Sequence, residues 1–359
     1  MRYNHTTMTR KAVVLLGGQG TRLRPFTLTT PKPLLPVANR PMCLYQLALL
    51  HECGVRDVVF SVGICQRGFR EIVRLGMRLG IRVRLACERQ PLGTAGAIKN
   101  GARFFRSGEP FFVFNGDILA DFDLRAMERF HRQHNAVVTI GLVRVSDPSA
   151  FGLVVTDAGG VVRRFVEKPG IEDVVADTVN AGVYLMGPDV RDEIPSGRPV
   201  SVERETFPGL LAAGRKVAGW THDGYWLDVG TVPRFLQANG EMVLRGVPAR
   251  CSTAAKLLPS SVASFQSEDG AGTAAVGRRV AFGRGVVVKG WAVIGDECVL
   301  GDGCVIENSV LLRGAVVGSG ARVCSSVLGS HAVVGGGAVV RNCALGDNSC
   351  LADFSVACS

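Results

Sequence analysis

The sequence predicts an α/β protein: a mostly parallel open sheet with helices on both faces, followed by a left-handed parallel β-helix of hexapeptide repeats. Three observations carry that expectation. Short apolar runs alternate with helix-period segments from Ala12 to Cys87, the pattern of strand–helix–strand units. The first run ends in a glycine-rich turn, Gly17-Gly18-Gln19-Gly20. From Val276 onward an apolar residue recurs at every sixth position.

The first element is the run Ala12 to Leu16, a buried strand of a parallel sheet. Three glycines in the next four positions let backbone N–H groups face outward and approach a ligand closely. Arg22 and Arg24 follow at once, and Lys32 sits between Pro31 and Pro33. A backbone anion nest ringed by fixed cations suits a polyphosphate. A dinucleotide fingerprint needs a further glycine where Leu23 stands, and a Walker A loop needs Gly-Lys-Ser/Thr, which the loop lacks.

Pro41 to Cys53 has helical spacing and stops at Gly54; Val58 to Phe60 is the second strand. Phe69 to Leu79 is a helix closed by Gly80, and Ile81 to Cys87 is the third strand. Glu88 to Lys99 is a loop entering a helix, with Thr94 as N-cap and Gly93 and Gly96 keeping side chains small. Phe111 to Phe114 is a buried strand that ends in Asn115-Gly116-Asp117, placing an acid at the ligand edge of the sheet. Asp123 caps a helix from Leu124 to His134, and Ala136 to Val145 returns as a strand. Phe151 to Val155 and Val161 to Val166 form a hairpin about Asp157-Ala158-Gly159-Gly160, delivering Glu167-Lys168-Pro169. Val179 to Tyr184 and Tyr225 to Gly230 complete the first region.

The texture then changes. Residues 1–245 read as one domain, 246–272 as a linker rich in Ala, Ser and Pro, and 273–359 as the β-helix. Val276, Phe282, Val288, Ile294, Leu300, Ile306 and Leu312 hold a six-residue register, and the phase slips by one before Val317, Val323, Leu328, Val334 and Val340. Each coil buries its apolar corners only against its neighbours, so open ends favour a homo-oligomer.

Composition narrows the function classes. A hydrophobic content of 47% with 20% charged residues is that of a folded globular protein, and no apolar stretch approaches the roughly 20 residues a membrane helix needs. The first ten residues are polar, which points to a cytoplasmic protein. The net charge of +10 is scattered, without a basic run or interleaved aromatics, so it suits small anionic substrates and not nucleic acid. Eleven cysteines without a C-x-x-C pair read as free thiols, neither a disulfide framework nor a zinc site.

The segment G-G-Q-G-T-R-L-R-P followed by P-K-P-L-L-P-V-A-N-R-P-M resembles the signature of the sugar-phosphate nucleotidylyltransferases, and within them most resembles the mannose-1-phosphate guanylyltransferases. The resemblance runs from about Lys11 to about Leu351 and implies a Rossmann-like nucleotidyltransferase domain. It implies GTP, or another nucleoside triphosphate, bound by Leu15, Gly17, Gly18, Gly20, Thr21, Arg22, Lys32, Gly93, Thr94 and Gly116. The P-L-G-T-A-G segment favours guanine. A sugar 1-phosphate would lie on Gly152, Glu167, Lys168, Asn180 and Gly182, with Mg²⁺ on Asp117 and Asp228. Arg22, Lys32, Asp117 and Lys168 would carry catalysis by positioning and charge neutralisation. Phe151 departs from the tyrosine common in relatives.

Two other classes stay open at this stage. Hexapeptide helices host acyltransferases that need a histidine base, and His331 is the one histidine after His222. A non-catalytic regulatory subunit would show degraded loops, whereas this chain keeps both aspartates and both lysines. Mannose 1-phosphate is the sugar implied, with heptose, glucose or a valienol-type cyclitol phosphate as alternatives.

Overall fold

The computed structural model describes residues 9–63, 68–106, 108–167, 169–170, 175–258, 261–267 and 270–358. By its internal contacts the chain divides into two compact units: residues 1–18 with 46–226, and residues 19–45 with 227–359.

The first unit is built on a nine-stranded sheet. Lys11–Leu16 lies at its centre, parallel to Asp57–Val62 on one side and Phe111–Asn115 on the other, and Arg82–Cys87 extends the parallel set. Central strands buried on both faces must be apolar throughout, which is why Ala12, Val13, Val14, Val58, Val59 and Phe60 are all fully buried. Thr178–Met186 then runs antiparallel to Phe111–Asn115, and Val138–Arg144 joins it in the antiparallel sense. The predicted hairpin forms as Gly152–Thr156 against Val162–Glu167, with Asp157 accepting from the Gly159 and Val161 N–H groups across the turn. The helix Gly93–Ala102 lies close over the first strand, since a Cβ on Gly101 would come within 2.7 Å of Val13. Asp123 caps Leu124–Gln133 as expected, accepting from Ala126 N–H at 2.9 Å.

The second unit holds a parallel β-helix with three stacked strand columns. One column runs Ala281–Phe282, Val299–Leu300, Val316–Val317, Val333–Val334 and Cys350–Leu351, each strand parallel to the next. Val288, Ile294, Leu300, Ile306, Val317, Val323, Leu328, Val334 and Val340 form its buried core.

The repeat phase differs from the expectation at one point. Leu311, not Leu312, sits in register with Ile294 and Leu328. The slip lies where Gly290-Trp291 face the single residue Asn308, in left-handed conformation at φ 45°. One residue is lost in that corner, and later coils repeat every 17 residues, as Ile306, Val323 and Val340 show. Phe282 also departs from the inward pattern: it is 43% exposed and packs on Phe265 at 5.9 Å.

The stretch expected as a linker is structured where described. It contains the helix Ser252–Leu257 and the strand Ser261–Ser267, which pairs antiparallel with Gly270–Val276. Small residues read as a linker by composition, yet here Cys251 and Ala254 are buried. Among the described residues all ten cysteines are free thiols, and no helix is long and apolar enough to cross a membrane.

Candidate active site

The first strand runs out at Leu16, and Gly17 and Gly18 emerge exposed. A Cβ on Gly18 would meet nothing within 4 Å, so the protein itself leaves that space open. Beneath Gly17 lies the buried carboxylate of Glu88, 3.1 Å from where a Cβ would sit; Glu88 also accepts from Ser61 Oγ at 3.1 Å. Gly116 closes the neighbouring strand end. Its N–H donates to Leu15 O at 2.9 Å, and a Cβ would sit 2.3 Å from that oxygen, so only glycine permits the approach. Asp117 follows, half-buried at the carboxyl edge of the sheet.

Ala181, Gly182 and Val183 form a bulge after Asn180, where the register against Val138–Arg144 shifts. Bulges re-aim side chains. Asn180 Oδ1 accepts the Gly182 N–H at 3.0 Å, while Nδ2 donates to Tyr184 Oη at 2.9 Å. Gly182, at φ 72°, brings its Cα against the Asn115 amide, whose Oδ1 is buried without a hydrogen-bond partner among the described residues. Trp226 Nε1 donates to Ala181 O, and Phe151 packs edge-on to Trp226 at 5.5 Å.

Gly152 faces Glu167 across the hairpin, and its Cβ would lie 2.9 Å from Glu167 Oε2. Burial, and then the negative charges of Glu203, Glu167 and Asp117, hold the Tyr184 phenol well above its usual range. Lys168, assigned above to the sugar phosphate, lies outside the described residues.

Gly93 and Thr94 are bound up with the chain itself. A Cβ on Gly93, at φ 70°, would strike Val200 O at 2.4 Å. Thr94 is not the N-cap, because the helix begins at Gly93. Its hydroxyl instead donates to Glu203 Oε2 at 2.8 Å and accepts from Val202 N–H at 2.8 Å. Val200 and Val202 thus fix this turn from within the chain.

In the second unit Gly20 takes a left-handed φ of 62° and opens the 3₁₀ turn Thr21–Leu23. Thr27 Oγ1 donates to Gly20 O at 2.8 Å, and Lys32 Cβ lies 3.1 Å from where a Gly20 Cβ would sit. Lys32 itself is 9% exposed, whereas Thr21 and Arg22 are exposed. Asp228 and Arg22 converge on Gly230, where a Cβ would stand 3.1 Å from Arg22 Nη2 and 3.1 Å from Asp228 Oδ1. Only glycine fits between the two groups without pushing one aside, and Asp228 offers the hard carboxylate oxygens that a magnesium ion prefers. Asp117, at the sheet edge of the other unit, offers the same donor type.

Sequence reasoning passed over Thr27, Glu88, Glu203, Tyr184 and Gly230 as functional residues. Glu88 and Glu203 carry no local signal, since the fold buries one beneath Gly17 and bonds the other to Thr94.

A parallel sheet whose first strand opens into an exposed glycine loop, followed directly by fixed cations, defines an α/β protein that handles phosphorylated nucleotides. The family model described as "Nucleotidyl transferase" matches residues 11–243, and the chain belongs to that family. A second, "GMPPB C-terminal domain", matches residues 271–356. The chain is 44% identical over 237 residues to a mannose-1-phosphate guanylyltransferase of Mycobacterium tuberculosis, covering 66% of this chain and 65% of that protein. It is 35% identical over 259 residues to mannose-1-phosphate guanyltransferase 2 of Candida glabrata, covering 70% of this chain and 71% of that one. In fold it is similar to HddC from Yersinia pseudotuberculosis, with TM-score 0.56 and 23% identity over 65% of this chain and all of that one.

Proposed function

We propose that the protein transfers GMP from GTP to mannose 1-phosphate in a magnesium-dependent reaction, releasing pyrophosphate and a nucleotide-sugar. The observation that carries this is the meeting of Arg22 and Asp228 over Gly230, in the unit that also buries Lys32 against Gly20. The names of the relatives support the choice of guanine and mannose.

In this reading an oxygen of the sugar phosphate attacks the α-phosphorus in line, and the bond to the β-phosphate breaks. Gly17, Gly18, Gly20 and Thr21 present N–H groups to the triphosphate, and Arg22 and Lys32 neutralise the leaving pyrophosphate. Lys168 holds the attacking phosphate. Magnesium, when bound, neutralises phosphate oxygens, and Asp117 and Asp228 would hold it. Glu167, Asn180, Gly152 and Gly182 orient the sugar ring, and Tyr184 stays neutral, fixing Asn180. Gly93 and Thr94 contribute the nucleotide wall through their fixed backbone. No covalent enzyme intermediate is needed.

Residues 1–245 would carry the chemistry and 273–359 assembly, with copies associating over the last coil, where Phe354 is 82% and Val356 67% exposed. The chain is read as a cytoplasmic enzyme, acting where triphosphates and sugar phosphates are held. His331 shares with Glu297, Gly314 and Asn348 a left-handed corner position, which supports reading it as a turn residue of the coil. A pyrophosphate-release assay over a matrix of triphosphates and sugar phosphates tests the reading. GTP with mannose 1-phosphate should give the highest kcat/KM; a preference for a heptose, glucose or cyclitol phosphate would reassign the sugar, and no release with any pair would refute the reaction.

A further inference from the structure

The loop that carries Arg22 and Lys32 belongs to the same compact unit as the β-helix, and specific contacts hold it there. Thr29 Oγ1 donates to Asp347 Oδ2, while the other oxygen of Asp347 accepts the Ser330 N–H at 2.7 Å. Beside them, a Cβ on Gly346 would lie 3.2 Å from Pro25, so the β-helix wall is shaped to the loop. Asn39 Nδ2 donates to the carbonyls of Ala275 and Ile294 at 3.1 and 3.0 Å, tying down the other end of the segment. Between these ends Phe26 packs on Phe235 at 6.5 Å. The segment is thus clamped at both ends, and the coil corner at Asp347 is the clamp nearest the cations.

We propose that Asp347 is a positioning residue for the triphosphate: by holding Thr29 it fixes the succession of 3₁₀ turns that presents Arg22 and Lys32. The β-helix is then part of the catalytic apparatus and not only an assembly module. A charged acceptor strengthens the bond, and an ordered loop lowers the entropy lost when the triphosphate binds. Asp353 provides a built-in control. Its Oδ1 accepts the Gly336 N–H at 2.7 Å, the same corner task as Asp347 performs for Ser330.

The inference rests on the triphosphate role assigned to Arg22 and Lys32, so two readouts are paired. Asp347→Ala and Thr29→Val should each raise KM for GTP about fivefold with kcat nearly unchanged, and the double variant should be no worse than either single one. Asp347→Asn, whose oxygen still accepts the Ser330 N–H and whose NH2 can donate to the Thr29 hydroxyl, should restore most of the affinity, and Asp353→Ala should leave KM unchanged. Hydrogen exchange of the amides from Thr21 to Leu34 should quicken in Asp347→Ala and Thr29→Val but not in Asp353→Ala. Unchanged exchange in Thr29→Val, which leaves the β-helix intact, or equal effects of Asp353→Ala and Asp347→Ala, would overturn the proposal. Faster exchange in a protein that turns over no triphosphate would uphold the clamp and refute the reaction.

Discussion

Thr27 Oγ1 donates a 2.8 Å hydrogen bond to the carbonyl of Gly20, closing the glycine loop back on itself. Gly20 is held in the left-handed region at φ 62°, and its carbonyl also accepts from Leu23 N–H at 2.9 Å. Thr27→Val keeps the shape and removes the donor. The expected loss is about 1 kcal/mol of loop order, read as a several-fold rise in KM for GTP with little change in melting temperature. Unaltered KM would show that the loop is held without Thr27.

Gly230 leaves only 3.1 Å between a would-be Cβ and both Arg22 Nη2 and Asp228 Oδ1. Gly230→Ala would displace both groups by a few tenths of an ångström. Turnover should fall about tenfold, since misplaced charges lose transition-state stabilisation steeply. Stability, followed by urea denaturation, should change by less than about 1 kcal/mol, as the guanidinium end can yield.

Thr94 bridges Val202 N–H and Glu203. Thr94→Val leaves the Val202 N–H without its acceptor and removes one of the two hydroxyls that donate to Glu203, the other being Ser201 Oγ at 2.9 Å, so a cost of about 2 kcal/mol is expected in denaturant unfolding. If Thr94 instead matters only to the nucleotide, stability will hold and affinity alone will drop.

These residues show what the sequence could reveal. Strand positions along the chain and the glycine loop are legible because apolar runs and glycine clusters are local signals, and Lys11–Leu16 and Asp57–Val62 form where expected. The hexapeptide register was legible as a period, but the slip was misplaced, because Leu311 and Leu312 are both apolar and only coil-to-coil pairing tells them apart. Glycine alone does not announce its reason. Gly18 faces open space, whereas Gly93 lies against Val200, and the two look alike in sequence. Glu88 under Gly17 and Glu203 on Thr94 come from distant segments, so no local pattern could have joined them.

His131 supplies a pH test of the first unit. Burial, and then the neighbouring Arg132 charge, push its imidazole down to about 4, and its Nδ1 lies 2.9 Å from Thr139 Oγ1. The folded state therefore binds its proton at lower pH than the unfolded chain, whose histidine titrates near 6.5. Its contribution to stability is full above about pH 6.5 and is lost as pH falls toward about 4, a change on the order of 2–3 kcal/mol. His131→Gln should flatten the dependence of urea midpoint on pH within that window. An unchanged slope would mean that His131 stays titratable as in water.

The central claim is that immobile cations and bound magnesium bring two anionic substrates to in-line reaction. Phosphorus NMR of the wild-type protein with GTP, mannose 1-phosphate and magnesium follows that reaction directly. The account predicts pyrophosphate and a nucleotide-sugar appearing in equal amounts, slowed by several kcal/mol of lost transition-state stabilisation in Lys32→Ala. Inorganic phosphate in place of pyrophosphate, or near wild-type turnover in Lys32→Ala, would contradict it.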